Sequence, residues 1–289
     1  MSAYPANTAD NIAGMAPAFG IEARPAPEPK PRGWSSARIG GYAVAGLWLA
    51  LLGLLLAYLI SVFSPDFMMR YGPRYLDGLW TTLLLVGISV TLGGLLSLPL
   101  ALARLSGNAF LNGAALSYTT FFRGTPLIAQ TFLVYYGLGA LNDELKAIGL
   151  WWFFREAWYC ALFAFTLHTA AYQAEILRGA IRTVPSGQRE ASKAMGLSRW
   201  TTFQKIILPQ ALIVALRPYG NEIVLMIKAS AIVAVITVYD LMGQTRFVFS
   251  RSFDFQAYLW AALLYLAVVE TLRRIWDVLE QRLTRHLKR

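Results

Sequence analysis

Cysteine occurs once, at Cys160, so no disulfide can form within the chain and no zinc-ligand spacing exists. The two histidines, His168 and His286, are too far apart in sequence to suggest a metal site, and none is expected. Charge is also scarce. Only 15% of the 289 residues are Asp, Glu, Lys or Arg, against about 25% in a soluble domain. No G-x-x-x-x-G-K-[ST] occurs, so the usual phosphate cradle is missing. G-x-S-x-G and S-x-x-K are absent too, and with them the common acyl-transfer nucleophiles. No internal repeat is visible, as many secondary carriers would show. No catalytic residue is therefore assigned.

What is abundant is apolar sequence. Hydrophobic residues make up 56% of the chain, and the mean hydropathy is +0.47. Apolar runs longer than about 18 residues recur, as bilayer-spanning helices require. Six spans are expected: 40–63, 78–103, about 114–139, 157–177, Arg217 to about Tyr239, and about 256–272. The first is too long for a signal-peptide core and no small-residue cleavage site follows it, so it reads as an anchor. Before it, residues 1–39 hold prolines in runs such as "ARPAPEPKPRG" and read as a disordered tail. Residues 276–289 read as a basic tail.

The formal net charge is +10. No basic stripe interleaved with aromatics supports nucleic-acid binding. The excess fits the positive-inside rule and anionic headgroups instead. With six spans the termini share one side. The tails and the loops on that side carry 18 Lys and Arg, against six in loops 64–77, 140–156 and 240–255. Both termini are therefore expected in the cytoplasm.

Loop 178–217 is then cytoplasmic and too long for a mere connector. Ser186 is a candidate helix cap after Pro185, Gly196 a stop or kink, and Ser198 a second cap. Pro209 is expected to break the second helix. From physics alone the pair forms either a knob that a soluble partner grips or an amphipathic loop on the headgroups.

Five ionisable residues fall within or near spans: Arg123, His168, Glu175, Glu222 and Lys228. Each is costly in lipid, so each should face protein, water or substrate. Gly124 and Pro126 should loosen the helix beside Arg123, which either lines a cavity or snorkels and pairs with an acid. Glu175 either pairs with Arg178 or stands on a path for a cationic substrate. Glu222 and Lys228, six apart, face different ways. A break near Ser230 makes Lys228 a candidate partner for a substrate carboxylate. His168 reads as a helix–helix contact, and Glu270 as the partner of Arg273 and Arg274.

Glu190, Ala191, Gly196, Ile206, Leu208 and Pro209 stand as E-A-x, three residues, G, nine residues, I-x-L-P. This resembles the "EAA" loop of integral-membrane subunits of ATP-binding-cassette importers, with Ser192 in place of the second alanine. "FFRGTPL" (121–127), "AAYQAEILRGAI" (171–182) and "GNEIVLMIKASAI" (220–232) strengthen the likeness, toward the polar-amino-acid branch that imports histidine, arginine, other basic amino acids or opines. The resemblance covers about 77–275. It implies an all-α integral membrane protein, a five-helix type I importer permease core plus one extra N-terminal helix. It also implies that Glu190 to Pro209 form a coupling helix seated in a separate ATPase. ATP and magnesium are then used by that partner, with no cofactor on this chain. A second permease chain, in a heterodimer rather than a homodimer, and an extracytoplasmic amino-acid-binding protein complete the implied importer, placed in a bacterial inner membrane.

Overall fold

The computed structural model describes residues 35–285, and all regular structure among them is helical. The tail expected over 1–39 lies outside the described residues as far as 34. Helix α1 (Ser36–Val62) falls, up to Tyr58, in one compact unit, and the chain from Leu59 onward forms a second. At 27 residues α1 spans about 40 Å, more than the hydrocarbon core of about 30 Å.

The second unit begins with α2 (Pro65–Leu105), a 41-residue helix. Ser64 Oγ accepts from Phe67 N, and Pro65 sits in the first turn where its missing N–H costs nothing. The expected loop 64–77 is thus helical, despite Pro73. Packing explains this. Tyr71 and Tyr75 are buried with Leu241, Val248, Ala257 and Ala261, and the Tyr75 hydroxyl donates to the Ala257 carbonyl at 2.9 Å. Those contacts offset the lost backbone bond at Pro73.

Helix α3 (Ala109–Gly124) is capped by Asn108, whose Oδ1 accepts from Phe110 and Leu111 N. It stops at Thr125, which Pro126 holds in an extended conformation. A short α4 (Leu127–Phe132) and a π turn (Leu133–Gly137) follow, so the span expected over 114–139 comes in pieces. The Gln130 amide donates to the Phe122 and Thr125 carbonyls at 2.8 and 3.1 Å, satisfying groups that the break frees. Two short helices, α5 (Asn142–Ala147) and α6 (Trp151–Phe154), lead into the 27-residue α7 (Ala157–Thr183).

Helix α8 (Ser186–Ala194) and α9 (Arg199–Thr202) form the polar loop. From α9 the chain passes through a π turn (Phe203–Ile207) directly into α10 (Leu208–Ser230). Pro209 does not break the helix there; it occupies the first turn of α10. The break expected near Ser230 takes the form of a change of helix type: the α-helix ends there and a 3₁₀ segment (Ala231–Ile236) continues. Helix α11 (Leu241–Ser252) fills what reads in the sequence as loop 240–255, and Asp240 Oδ1 caps it by accepting from Gly243 N at 2.8 Å. Helix α12 (Gln256–Leu283) runs past the expected span end and takes in most of the expected basic tail; residues 286–289 lie outside the described residues.

Three helical runs are by themselves long and apolar enough to cross a bilayer: Ser36–Ser61, Pro65–Leu105 and Arg199–Ile236. Helix α7 has the length but is more polar, because His168, Thr169, Gln173 and Glu175 find partners inside the protein. Helix α2 packs most extensively on α7. At their crossing Gly93 lies against Thr169 and Ala170, where any side chain would collide. The central core joins Leu85 and Val86 of α2 to Phe165 of α7 and to Met226, Val233 and Ile236.

Candidate functional site

The polar loop is two short helices joined by a tight turn. Ser186 is not the cap of α8: Pro185 takes that position, without a side-chain bond, and Ser186 begins the helix. The C-terminal end is well formed. Gly196 has φ +72°, its N–H donates to the Lys193 carbonyl, and Leu197 N–H donates to the Ser192 carbonyl, both at 3.0 Å. This paired 5→2 and 6→1 closure needs the left-handed conformation that glycine adopts without strain. Ser198 then caps α9, its Oγ accepting from Thr201 N at 3.1 Å. The chain turns sharply between the helices because a glycine and a capping serine stand two residues apart.

Ser192 is buried and its hydroxyl donates to the Gln188 carbonyl at 2.6 Å. Burial favours a small side chain there, and the serine hydroxyl is satisfied within its own helix. Glu190 and Ala191 are exposed, and Glu190 has no ion pair among the described residues. Arg189 Nη2 donates to the Ile181 carbonyl at 3.2 Å and ties α8 back to the end of α7. Ile206, Leu208 and Pro209 lie at the junction of the π turn with α10. Buried Ile207 and Ala211 root that junction on Ala101 of α2 and on Leu177, Ala180 and Ile181 of α7. The loop therefore stands on the ends of three helices and offers an uncompensated carboxylate to its surroundings.

A second constellation lies where α2, α3 and α7 meet. Glu175 accepts from Arg104 Nε at 3.0 Å, lies 2.6 Å from Arg178 Nη2, and has Arg123 Nη1 at 3.9 Å. Arg104 also donates to Asn112. Arg123 is half exposed and stacks over the Tyr172 ring at 5.4 Å. Of the alternatives open for these residues, the pairings are seen: Glu175 pairs with Arg178, and the acid near Arg123 is Glu175, at the edge of ion-pair distance. Arg104 is the member that sequence reading misses. Its partner is 71 residues away, and nothing local marks the pairing.

Glu222 is buried on α10, and its Oε1 accepts from Thr169 Oγ1 at 3.3 Å. Gln173 donates to Thr169 Oγ1 and to the Val90 carbonyl, both at 3.0 Å, so one polar chain links α2, α7 and α10. His168 Nδ1 lies 3.0 Å from Gln130 Oε1, the interhelical contact expected of it. Lys228 is exposed and has no ion pair or hydrogen bond among the described residues. It does not meet Glu222. Glu270 pairs with Arg274 at 3.0 Å and Arg273 at 3.8 Å, as expected. Among the described residues no group of His, Cys, Asp and Glu is placed to hold a metal ion.

Known proteins share this architecture. The model of the family described as "Binding-protein-dependent transport system inner membrane component" matches residues 79–285. The nopaline transport system permease protein NocM of Agrobacterium fabrum is 38% identical over 217 residues, covering 75% of this chain and 90% of the relative. The histidine/lysine/arginine/ornithine transport system permease protein HisM of Escherichia coli is 39% identical over 218 residues, covering 75% and 91%. A crystal structure described as an amino acid ABC transporter with histidines superposes with a TM-score of 0.66 at 33% identity, covering 76% of this chain and all of the matched one. With its helical bundle and E-A-x loop inside the matched region, the chain belongs to the binding-protein-dependent transport system inner membrane component family.

Proposed function

We propose that this chain is a membrane subunit of an ATP-driven importer of a basic amino acid or an opine. The relatives named above are permeases for such substrates, and the carrying observation is the exposed α8 knob, rooted on α2, α7 and α10. Glu190, Ala191, Ser192 and Gly196 form the part that seats in the ATPase, while Ile206, Leu208 and Pro209 pass its movement into α10. ATP and magnesium stay with that ATPase, and this chain holds no cofactor. An extracytoplasmic binding protein delivers the substrate and supplies most of the selectivity. A second, homologous permease chain completes the path, in a heterodimer. Both termini and the knob face the cytoplasm, in keeping with the distribution of Lys and Arg.

Within the path, Glu222 and Lys228 are the groups that meet substrate: a carboxylate, here buried against Thr169, for a cationic side chain, and an exposed ammonium on another face of α10 for a carboxylate. Arg123 and Glu175 hold α3 to α7 beside it. Closure of the ATPase must favour one of two arrangements by a few kcal/mol to drive alternating access.

Uptake into vesicles carrying the assembled importer tests this. Glu190→Lys and Gly196→Pro are expected to insert normally and abolish uptake. Normal uptake by both variants would sink the coupling role. Flux through the purified chain alone, with no ATPase present, would favour a self-contained carrier.

A further inference from the structure

Between the knob and the helix ends lies a cavity of about 530 Å³. Its floor is apolar, with Leu105 from the last turn of α2, Ile181 from α7 and Ile207 before α10. Its rim carries Arg189, Lys193 and Arg199, and no acidic side chain lines it. Arg189 is held in place by the Ile181 carbonyl, whereas Lys193 and Arg199 have no hydrogen bond or ion pair among the described residues. Trp200, next to Arg199, is 64% exposed.

We infer that this cavity is a binding site for one anionic phospholipid of the cytoplasmic leaflet. The reading rests on the knob facing that leaflet, as proposed above. Three cations around an apolar floor match a phosphodiester attached to acyl chains better than a free phosphate, which would leave the floor unpaired. Basic pockets at the cytoplasmic ends of membrane helices are the usual place for such headgroups. An exposed tryptophan beside them suits the same depth. Lys193 and Arg199 lie on opposite sides of the Gly196 turn, so one phosphodiester between them would brace α8 against α9. The lipid would stiffen the knob without touching Glu190.

The importer purified from its own membranes, equilibrated in turn with phosphatidylglycerol and phosphatidylcholine, is weighed by native mass spectrometry. The expected result is one phosphatidylglycerol retained per copy of this chain, in preference to phosphatidylcholine. Two variants test the site: Lys193→Gln/Arg199→Gln removes two rim charges and is expected to weaken that preference roughly thirtyfold, and Leu105→Trp fills the floor and is expected to lose the lipid with all three cations intact. The second keeps the test alive if the first does not assemble. Lys205→Gln, on the same loop but outside the cavity, is expected to retain it. Equal retention of the two lipids by the unaltered complex overturns the inference. So does a loss with Lys205→Gln as large as with the double variant. So does phosphatidylglycerol that binds only after the ATPase is stripped away, since the rim then serves a protein acid. Lipid retained by a chain with which no ATPase co-purifies supports the site while removing the coupling reading.

Discussion

Arg104, on the last turn of α2, donates its Nε to Glu175 Oε1 of α7 at 3.0 Å, with both side chains nearly buried. This is one arm of a three-arginine clasp around a single carboxylate. Removing the carboxylate leaves cations facing one another with little water. Glu175→Gln is expected to cost about 3 kcal/mol, the scale of breaking a buried pair. Arg123→Ala, at 3.9 Å and half exposed, is expected to cost less than about 1 kcal/mol. Thermal aggregation of the detergent-solubilised complex measures both, and a reversed order would contradict the geometry.

Gly196 tests the knob more finely than proline does. Its φ of +72° suits asparagine better than alanine. Gly196→Asn is expected to retain most transport, and Gly196→Ala to lose about 1 kcal/mol at the turn and a larger share of uptake. Equal uptake by the two would show that the left-handed turn is not what transport needs.

Gly93 of α2 packs directly against Thr169 and Ala170 of α7. Gly93→Leu is expected to force the helices apart at a cost of about 1–3 kcal/mol or more. The yield of folded, monodisperse complex reads this directly. Gly87, on the same helix with open space around it, serves as the control, and Gly87→Leu is expected to leave the yield unchanged.

Glu222 separates support from substrate contact. Under Glu222→Gln the side-chain amide oxygen can still accept from Thr169 Oγ1, which lies 3.3 Å from the carboxylate, so thermal stability should hold. Uptake of a cationic amino acid is expected to fall about tenfold, the factor that 1.4 kcal/mol carries. Thr169→Val breaks the same contact from the other side, and is expected to lower stability first. Unchanged uptake by Glu222→Gln would take that carboxylate off the path.

How far the sequence foretold this depends on where each partner sits. The three most apolar runs, within Ser36–Ser61, Pro65–Leu105 and Arg199–Ile236, and the Gly196 turn are legible because hydropathy and a lone glycine between polar helices are local signals. The Glu175–Arg178 pair is legible because three residues separate its members. Arg104, Gln130 and Gln173 are not, since their partners come from other helices. The N-terminal turns of α2 and the whole of α11 hide for a related reason. "PDFMMRYGPRYLDG" and "LMGQTRFVFSRS" mix charge with aromatics and look like loops, and they are helical because Tyr71, Tyr75, Leu241 and Val248 share one core. Pro209 misleads in the opposite direction. A proline is a stop signal in a regular helix body, but Pro209 directly follows the π turn Phe203–Ile207, where the regular bonding is already interrupted.

The absence of a stop at Pro209 has a mechanical meaning. From Arg199 to Ser230 the backbone stays helical, through the π turn Phe203–Ile207 and past Pro218, a run of roughly 45 Å at 1.5 Å per residue. A tilt of about 10° imposed at the α9 end would swing the Ser230 end by roughly 8 Å over that length. Lys228 and the 3₁₀ segment ride at the tip. A flexible joint at Pro209 would absorb such a push; an unbroken helical run passes it on to the Ser230 end.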